Sequence, residues 1–267
     1  MNNNIEPTNP TNPTNPTNPT VSEMDGYEPD RITVWKHTKE RYKDSPVWPS
    51  YKFTEMPARP NKRYASTVVD IIKRDMIDEG VEMKAIGLNP LVLNMADWIR
   101  AGGCVDAGSG AQEEECFRRS NYFRTLVQDL YPLGNLDTIS SKDVEYYRNG
   151  AALGYTYMPT TVKLDMIAQP ALQHPQITRD QKFLAYEADI ALFEEKIHML
   201  FRVAALQGND SLILSAWGCG AFGCPPYHVA KMFKKILAEY DGVFNEVVFA
   251  ILGQNYELFK KSWDETD

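Results

Sequence analysis

This chain has no cationic surplus. Its 28 Lys and Arg stand against 36 Asp and Glu, a formal net charge of −8. That balance argues against direct binding of duplex nucleic acid or of an anionic membrane. Apolar runs are short, and none approaches the roughly 20 residues a bilayer span requires. The first residues have neither the basic region nor the apolar stretch of a secretory leader, so an intracellular protein, cytoplasmic or nuclear, is expected. Cysteine is scarce: Cys104, Cys116, Cys219 and Cys224 form no Cys-x-x-Cys pair and the four His are scattered, which speaks against a structural zinc site. The four are read as reduced thiols in small-residue packing, and no metal or cofactor is expected. None of this excludes an anionic ligand, because backbone amides bind phosphate locally.

Residues 8–20 repeat Thr-Asn-Pro, a tract with no apolar surface to bury, so residues 1–20 are expected to be a disordered tail. Residues 21–64, rich in Pro, Tyr and Trp, are read as an extended segment packing on the core through Trp35, Trp48 and Tyr51. Residues 65–267 are read as the main domain. There Ser66 opens a helical pattern (Val69, Ile72, Met76) that stops near Gly80. Strands are expected at Pro90–Asn94, Val162–Ala168, Ser211–Trp217 and Glu246–Leu252. Helices are expected at Glu113–Leu130, from an Asp180 cap to about Gln207, and after Pro225. His198, near the buried stripe of the second helix, is read as structural. Alternating strands and helices give an α/β class with a mixed sheet between helices, whose ligands sit at the carboxyl ends of strands.

Two segments carry chemistry. Gly102-Gly103-Cys104 begins a run of small residues that leads through Gly108 and Gly110 into Gln112-Glu113-Glu114 at a helix start. Glycines let backbone approach a ligand, a helix N-terminus favours anions, and a carboxyl placed there serves acid–base work. The bland alternative is turn chemistry with ordinary first-turn acids. The second segment, Gly218-Cys219-Gly220-Ala221-Phe222-Gly223, joins an apolar strand to a helix, the arrangement that phosphate binding needs. Gly218, Gly220 and Gly223 match G-x-G-x-x-G literally, but their late position leaves little room for the rest of a dinucleotide-binding unit.

Together these loops resemble the microbial-type poly(ADP-ribose) glycohydrolases, which have the macrodomain fold. The family's signature is three glycines, a spacer and Gln-Glu-Glu; Gly102, Gly103, Gln112, Glu113 and Glu114 match it. Leu93-Asn94-Met95-Ala96 is similar to the strand end before it, and Ala216–Gly223 to the family's diphosphate loop. The resemblance spans about residues 88–255. Three positions depart: Cys104 replaces the third glycine, and Arg100 and Ala101 stand where an asparagine and a proline are usual. These departures bear on activity more than on fold.

The resemblance implies a macrodomain-like sheet sandwiched between helices, with an N-terminal extension. It also implies hydrolysis of ribose–ribose bonds in poly(ADP-ribose) to release ADP-ribose. Glu114 would be the general acid, its pKa raised by burial and by Glu113. Glu113 would hydrogen-bond ribose hydroxyls, and Asn94, Gly102, Gly103, Cys104 and Gln112 would line the distal ribose. The Gly218, Cys219, Gly220, Ala221 and Phe222 backbone would hold the diphosphate, with Phe222 on the ligand. Trp217 is read as core. Of Arg118 and Arg119, one is expected to be paired and the other solvated. The partner is poly(ADP-ribose) or an ADP-ribosylated protein. The alternatives are a reader that binds ADP-ribose without cleaving it, and a hydrolase of single ADP-ribose units.

Overall fold

The computed structural model describes residues 30–46 and 49–265, so the expectations for the Thr-Asn-Pro tract and for Trp48 fall outside the described residues. The strands are β1 (Tyr51–Phe53), β2 (Val68–Ile72), β3 (Pro90–Met95), β4 (Thr138–Arg148), β5 (Tyr157–Gln169), β6 (Ser211–Leu214) and β7 (Glu246–Ala250). They form one sheet in the order β1-β4-β5-β3-β6-β7-β2. The run from β5 to β2 is parallel, and β4 and β1 add antiparallel. The helices are α1 (Arg31–Tyr42), α2 (Met76–Ala85), α3 (Gln112–Arg119), α4 (Glu187–Leu206), α5 (Pro226–Glu239) and α6 (Asn255–Asp264).

Side-chain alternation assigns the layers. Gly80 of α2 lies against Val92, Leu164 and Ile213, so that face of β3, β5 and β6 belongs to α2. Phe249, one residue on from the Val248 that pairs with Ile213, points the other way, into the rings of Phe233 (α5), Phe259 and Trp263 (α6). The central strands are therefore covered on both faces. Leu91, Val92, Leu93, Leu212, Ile213, Val247 and Phe249 are fully buried, which explains their continuous apolar runs. No helix among the described residues is long and apolar enough to cross a membrane. The α/β class and the sandwiched mixed sheet are as expected.

Several boundaries are corrected. The 21–64 segment is not simply extended: Asp30 caps α1 by accepting from the amides of Ile32 and Thr33 at 3.2 and 3.1 Å, and Thr38 on the buried side bonds the Arg118 carbonyl. Trp35 is buried as expected, whereas Tyr51 is 61% exposed. The pattern from Ser66 is a strand and then a helix, because Val68-Val69-Asp70-Ile71-Ile72 suits a parallel pairing with β7 and Asp75 caps α2. The helix from Glu113 stops at Arg119, where Ser120 turns extended and bridges to Tyr146. Asp180 caps no helix; its carboxylate closes a turn with Thr178 and Lys182, and α4 starts at Glu187.

Candidate active site

The loops after β3 and β6 emerge side by side at the carboxyl edge of the sheet, because those strands are neighbours. Between them lies a cleft of about 560 Å³. Its β3 side is built on the first turn of α3. The Gln112 side chain fixes that turn: its Nε2 donates to the Leu93 carbonyl and its Oε1 accepts from the Met95 amide, both at 2.9 Å. Gln112 thus borders the cleft and spends its amide on β3, which positions α3.

The two acids diverge from that turn. Glu113 turns inward. Its Oε1 accepts from Asn94 Nδ2 (3.2 Å), the Gly102 amide (3.2 Å) and the Tyr131 hydroxyl (3.4 Å), and its Oε2 from the Asp97 amide (2.8 Å). Three of these donors meet Oε1 and one meets Oε2, so most of the carboxyl is engaged by protein donors and Glu113 clamps the 97–102 loop. Burial pushes the Glu113 carboxyl up to about 8 against these donors, and the Glu114 charge adds to the rise.

Glu114 turns to the cleft. Its Oε1 accepts from the Cys104 amide at 2.9 Å, while Oε2 is buried with no partner among the described residues. The third acid, Glu115, is held by Arg118 and Tyr155. Both arginines after the acids are buried and paired, Arg118 with Glu115 and Arg119 with Asp75 and Asp78. Neither is solvated, because each ties α3 to a neighbouring segment.

The signature glycines differ in what they do. Gly102 has φ +80°, and a Cβ there would run into the Phe117 ring; Gly103 has φ +57°, and a Cβ there would meet Glu114 Oε1 at 2.6 Å. Cys104 has φ −107°, open to any residue, and its side chain is exposed. The third position therefore does not need glycine for its backbone.

On the β6 side, Trp217 is buried as expected and donates to the Gln169 carbonyl. The following loop is braced by the Cys219, Gly223 and Cys224 amides, which donate to Ala216, Gly220 and Gly218, and by Asn255, which donates to the Cys219 carbonyl. Among the described residues the amides of Gly220, Ala221 and Phe222 donate to no protein acceptor. Gly220 has open space around it. Phe222 is partly buried on the core and borders the cleft.

The cleft thus brings together Gly103, Cys104, Gln112, Glu113, Glu114, Gly218, Gly220, Ala221 and Phe222. Asn94, Gly102 and Cys219 stand behind its wall, and Asn94 is wholly buried against Glu113. Asp97, Ser109, Gln173, His174 and Asn255 also border it. Sequence reasoning named none of these as site residues; Asp97, just beyond the Leu93–Ala96 segment, and Ser109, between Gly108 and Gly110, carried a positional signal. Among the described residues no cluster of His, Cys, Asp and Glu is fit to hold a metal ion. His198 bonds the Tyr240 hydroxyl, away from the cleft.

A mixed sheet of this order, with carboxylates on a helix start facing a loop of free amides, is macrodomain-like architecture. Residues 24–148 match the family model for the catalytic domain of microbial-type PARG, poly(ADP-ribose) glycohydrolase. Among solved structures, it is similar to the poly(ADP-ribose) glycohydrolase of Thermomonospora curvata, at 20% identity over 87% of this chain and 98% of that one, TM-score 0.73. The same enzyme bound to the inhibitor ADP-HPD matches at 19% identity over 86% and 98%, TM-score 0.71. The Deinococcus radiodurans enzyme in complex with ADP-ribose matches at 21% identity over 91% and 97%, TM-score 0.65. These likenesses concern the fold. No curated protein matches the chain by sequence.

Proposed function

We propose that the cleft hydrolyses the ribose–ribose glycosidic bonds of poly(ADP-ribose), releasing ADP-ribose, with Glu114 as general acid and then base. The observation that carries this is the Glu114 carboxyl: one oxygen is fixed by the Cys104 amide and the other is buried, unpartnered and in the same cleft as the free amides of Gly220–Phe222. Those amides hold a diphosphate without a cation, leaving the distal ribose at Glu114. The acid protonates the leaving ribose oxygen, and the ligand's diphosphate stabilises the cationic ribose. Glu114 then takes a proton from water as it attacks. Two opposed carboxylates are not available, because Glu113 points away into its clamp. The related D. radiodurans structure holds ADP-ribose, in keeping with this ligand. Four free thiols, Cys104 among them exposed, suit an intracellular setting.

The test is incubation with poly(ADP-ribose) and with singly ADP-ribosylated proteins, reading free ADP-ribose as product. Release from polymer supports the proposal. Tight ADP-ribose binding without release from either substrate overturns it in favour of a reader, and release from singly modified protein alone overturns the polymer assignment.

A further inference from the structure

Two of the positions that depart from the family pattern touch in space. The Arg100 guanidinium lies 3.9 Å from Cys104 Sγ, and Cys104 lines the cleft and holds Glu114 through its own amide. Arg100 is exposed and, among the described residues, forms no ion pair; its side chain's polar contact is the Cys104 sulfur. Between Asp97 and Glu115 it is the sole cation among Asp97, Asp106, Glu113, Glu114 and Glu115.

Its backbone is held firmly. The Arg100 amide donates to Asp97 Oδ1 at 2.8 Å and its carbonyl accepts from the Gly103 amide at 3.1 Å. Gln128 clasps the turn on both sides, accepting from the Ala101 amide and donating to the Ile99 carbonyl. A cation without an ion-pair partner among the described residues is thus presented from a preorganised turn beside Cys104, a residue of the cleft lining. It stands on the β3 side, with Glu114, while the free amides for the diphosphate lie on the β6 side. Cys104 touches both Glu114 and Arg100, so a leaving group that departs from Glu114 on the Cys104 side meets this guanidinium.

We propose that Arg100 is a specificity-determining residue whose guanidinium receives the diphosphate of the ADP-ribose unit on the leaving side of the scissile bond, so that the cleft prefers polymer to a single unit. This rests on the hydrolase reading above. A planar guanidinium suits a diphosphate through paired N–H donors, and the contact is solvent-exposed and therefore modest and salt-sensitive.

The test compares wild type, Arg100→Ala, Arg100→Asn and Arg100→Lys, with KM on poly(ADP-ribose) and Kd for free ADP-ribose measured on each. The Ala and Asn variants should raise polymer KM by about five- to tenfold, the scale of one partly screened phosphate contact. Their ADP-ribose Kd should stay at the wild-type value, and Lys should recover part of the loss. The salt dependence of polymer KM should flatten in Ala and Asn. Equal polymer KM in all four proteins overturns the proposal, as does an equal loss of affinity for polymer and for ADP-ribose, which would report damage to the turn. Should wild type release no ADP-ribose from polymer, the hydrolase reading falls by itself. The ratio of polymer to ADP-ribose affinity across the same four proteins then decides on Arg100.

Discussion

Gly103→Ala is the sharpest probe of how the loop shapes the acid. The position has φ +57°, and an added Cβ would stand 2.6 Å from Glu114 Oε1 and 3.2 Å from its Cδ. Ordinary contact begins at 3.4 Å, so the carboxyl must retreat by about 0.8 Å, a displacement large enough to cost on the order of a hundredfold in rate. The left-handed backbone adds about 1–2 kcal/mol of destabilisation for a residue with a Cβ. The expected result is a protein that folds, melts a few degrees lower and turns over polymer about a hundredfold more slowly, with ADP-ribose still bound through the β6 loop. Cys104→Gly is the matched control: at φ −107° nothing in the backbone calls for glycine, so its effect on turnover should be much smaller than that of Gly103→Ala. Turnover, ADP-ribose affinity and melting temperature measured on both variants check this. A folded Gly103→Ala protein with turnover within about threefold of wild type would refute the reasoning.

Glu114→Gln keeps the size of the acid and removes its proton; polymer turnover should fall by about two to four orders of magnitude while calorimetry still records ADP-ribose binding. The Glu113 carboxyl, raised to about 8 in the fold, keeps a proton that the unfolded chain releases near its ordinary value of 4.5. Its contribution to stability is therefore full below that value and is lost as pH rises toward 8, at up to about 1.4 kcal/mol per unit. Melting scans from pH 5 to 8 should show this slope in wild type and a flatter one in Glu113→Gln; identical slopes would remove Glu113 as the source. Because an anion in the cleft disfavours the ionised form of Glu113, ADP-ribose binding near pH 8 should take up a fraction of a proton, and near pH 6 almost none. Calorimetry in buffers of different ionisation enthalpy reads this directly, and equal heats at pH 8 would contradict it.

The parts of the fold that were legible in sequence are those whose side chains face apolar layers on both sides. Leu212-Ile213-Leu214 and Val247-Val248-Phe249 are buried on both faces, so each reads as an apolar run. Strand β4 gave no such signal. It buries Thr138, Ser140, Ser141 and Arg148, and an irregularity between Ser141 and Val144, with Asp143 at φ 52°, breaks its alternation. Helix α1 was missed for a related reason: its buried side is partly polar, with Thr38 bonded to Tyr147 and to the Arg118 carbonyl. In the site, the glycines and the Gln-Glu-Glu run were legible because each acts through its own backbone or its own helix turn. The role of Glu113 was not. It depends on donors from Asn94, Asp97, Gly102 and Tyr131, which only the folded chain brings to one carboxyl.

On the proposed reading, an acidic chain takes a doubly charged diphosphate beside two adjacent glutamates, and the repulsion has to be met without net positive charge. On the β6 side the proposed attraction is that of the peptide dipoles at Gly220–Phe222, whose amides have no protein acceptor among the described residues; such dipoles are fixed by the fold and little screened by salt. On the β3 side Glu113 stays largely protonated near neutrality because burial disfavours its charge, and the carboxylate on the other side of Glu114, Glu115, is offset by its ion pair with Arg118. Arg74, which lines the cleft, is paired with Glu79 and Glu82, so the cation proposed to add attraction, unpaired among the described residues, is the exposed guanidinium of Arg100 beside Cys104. These sources differ in how salt affects them. Added salt should leave affinity for a single ADP-ribose almost unchanged, since its anion is met by amides, and should weaken the grip on polymer, whose next diphosphate is met by a solvated cation. The preference for polymer is therefore expected to shrink as ionic strength rises, while the grip on ADP-ribose itself persists.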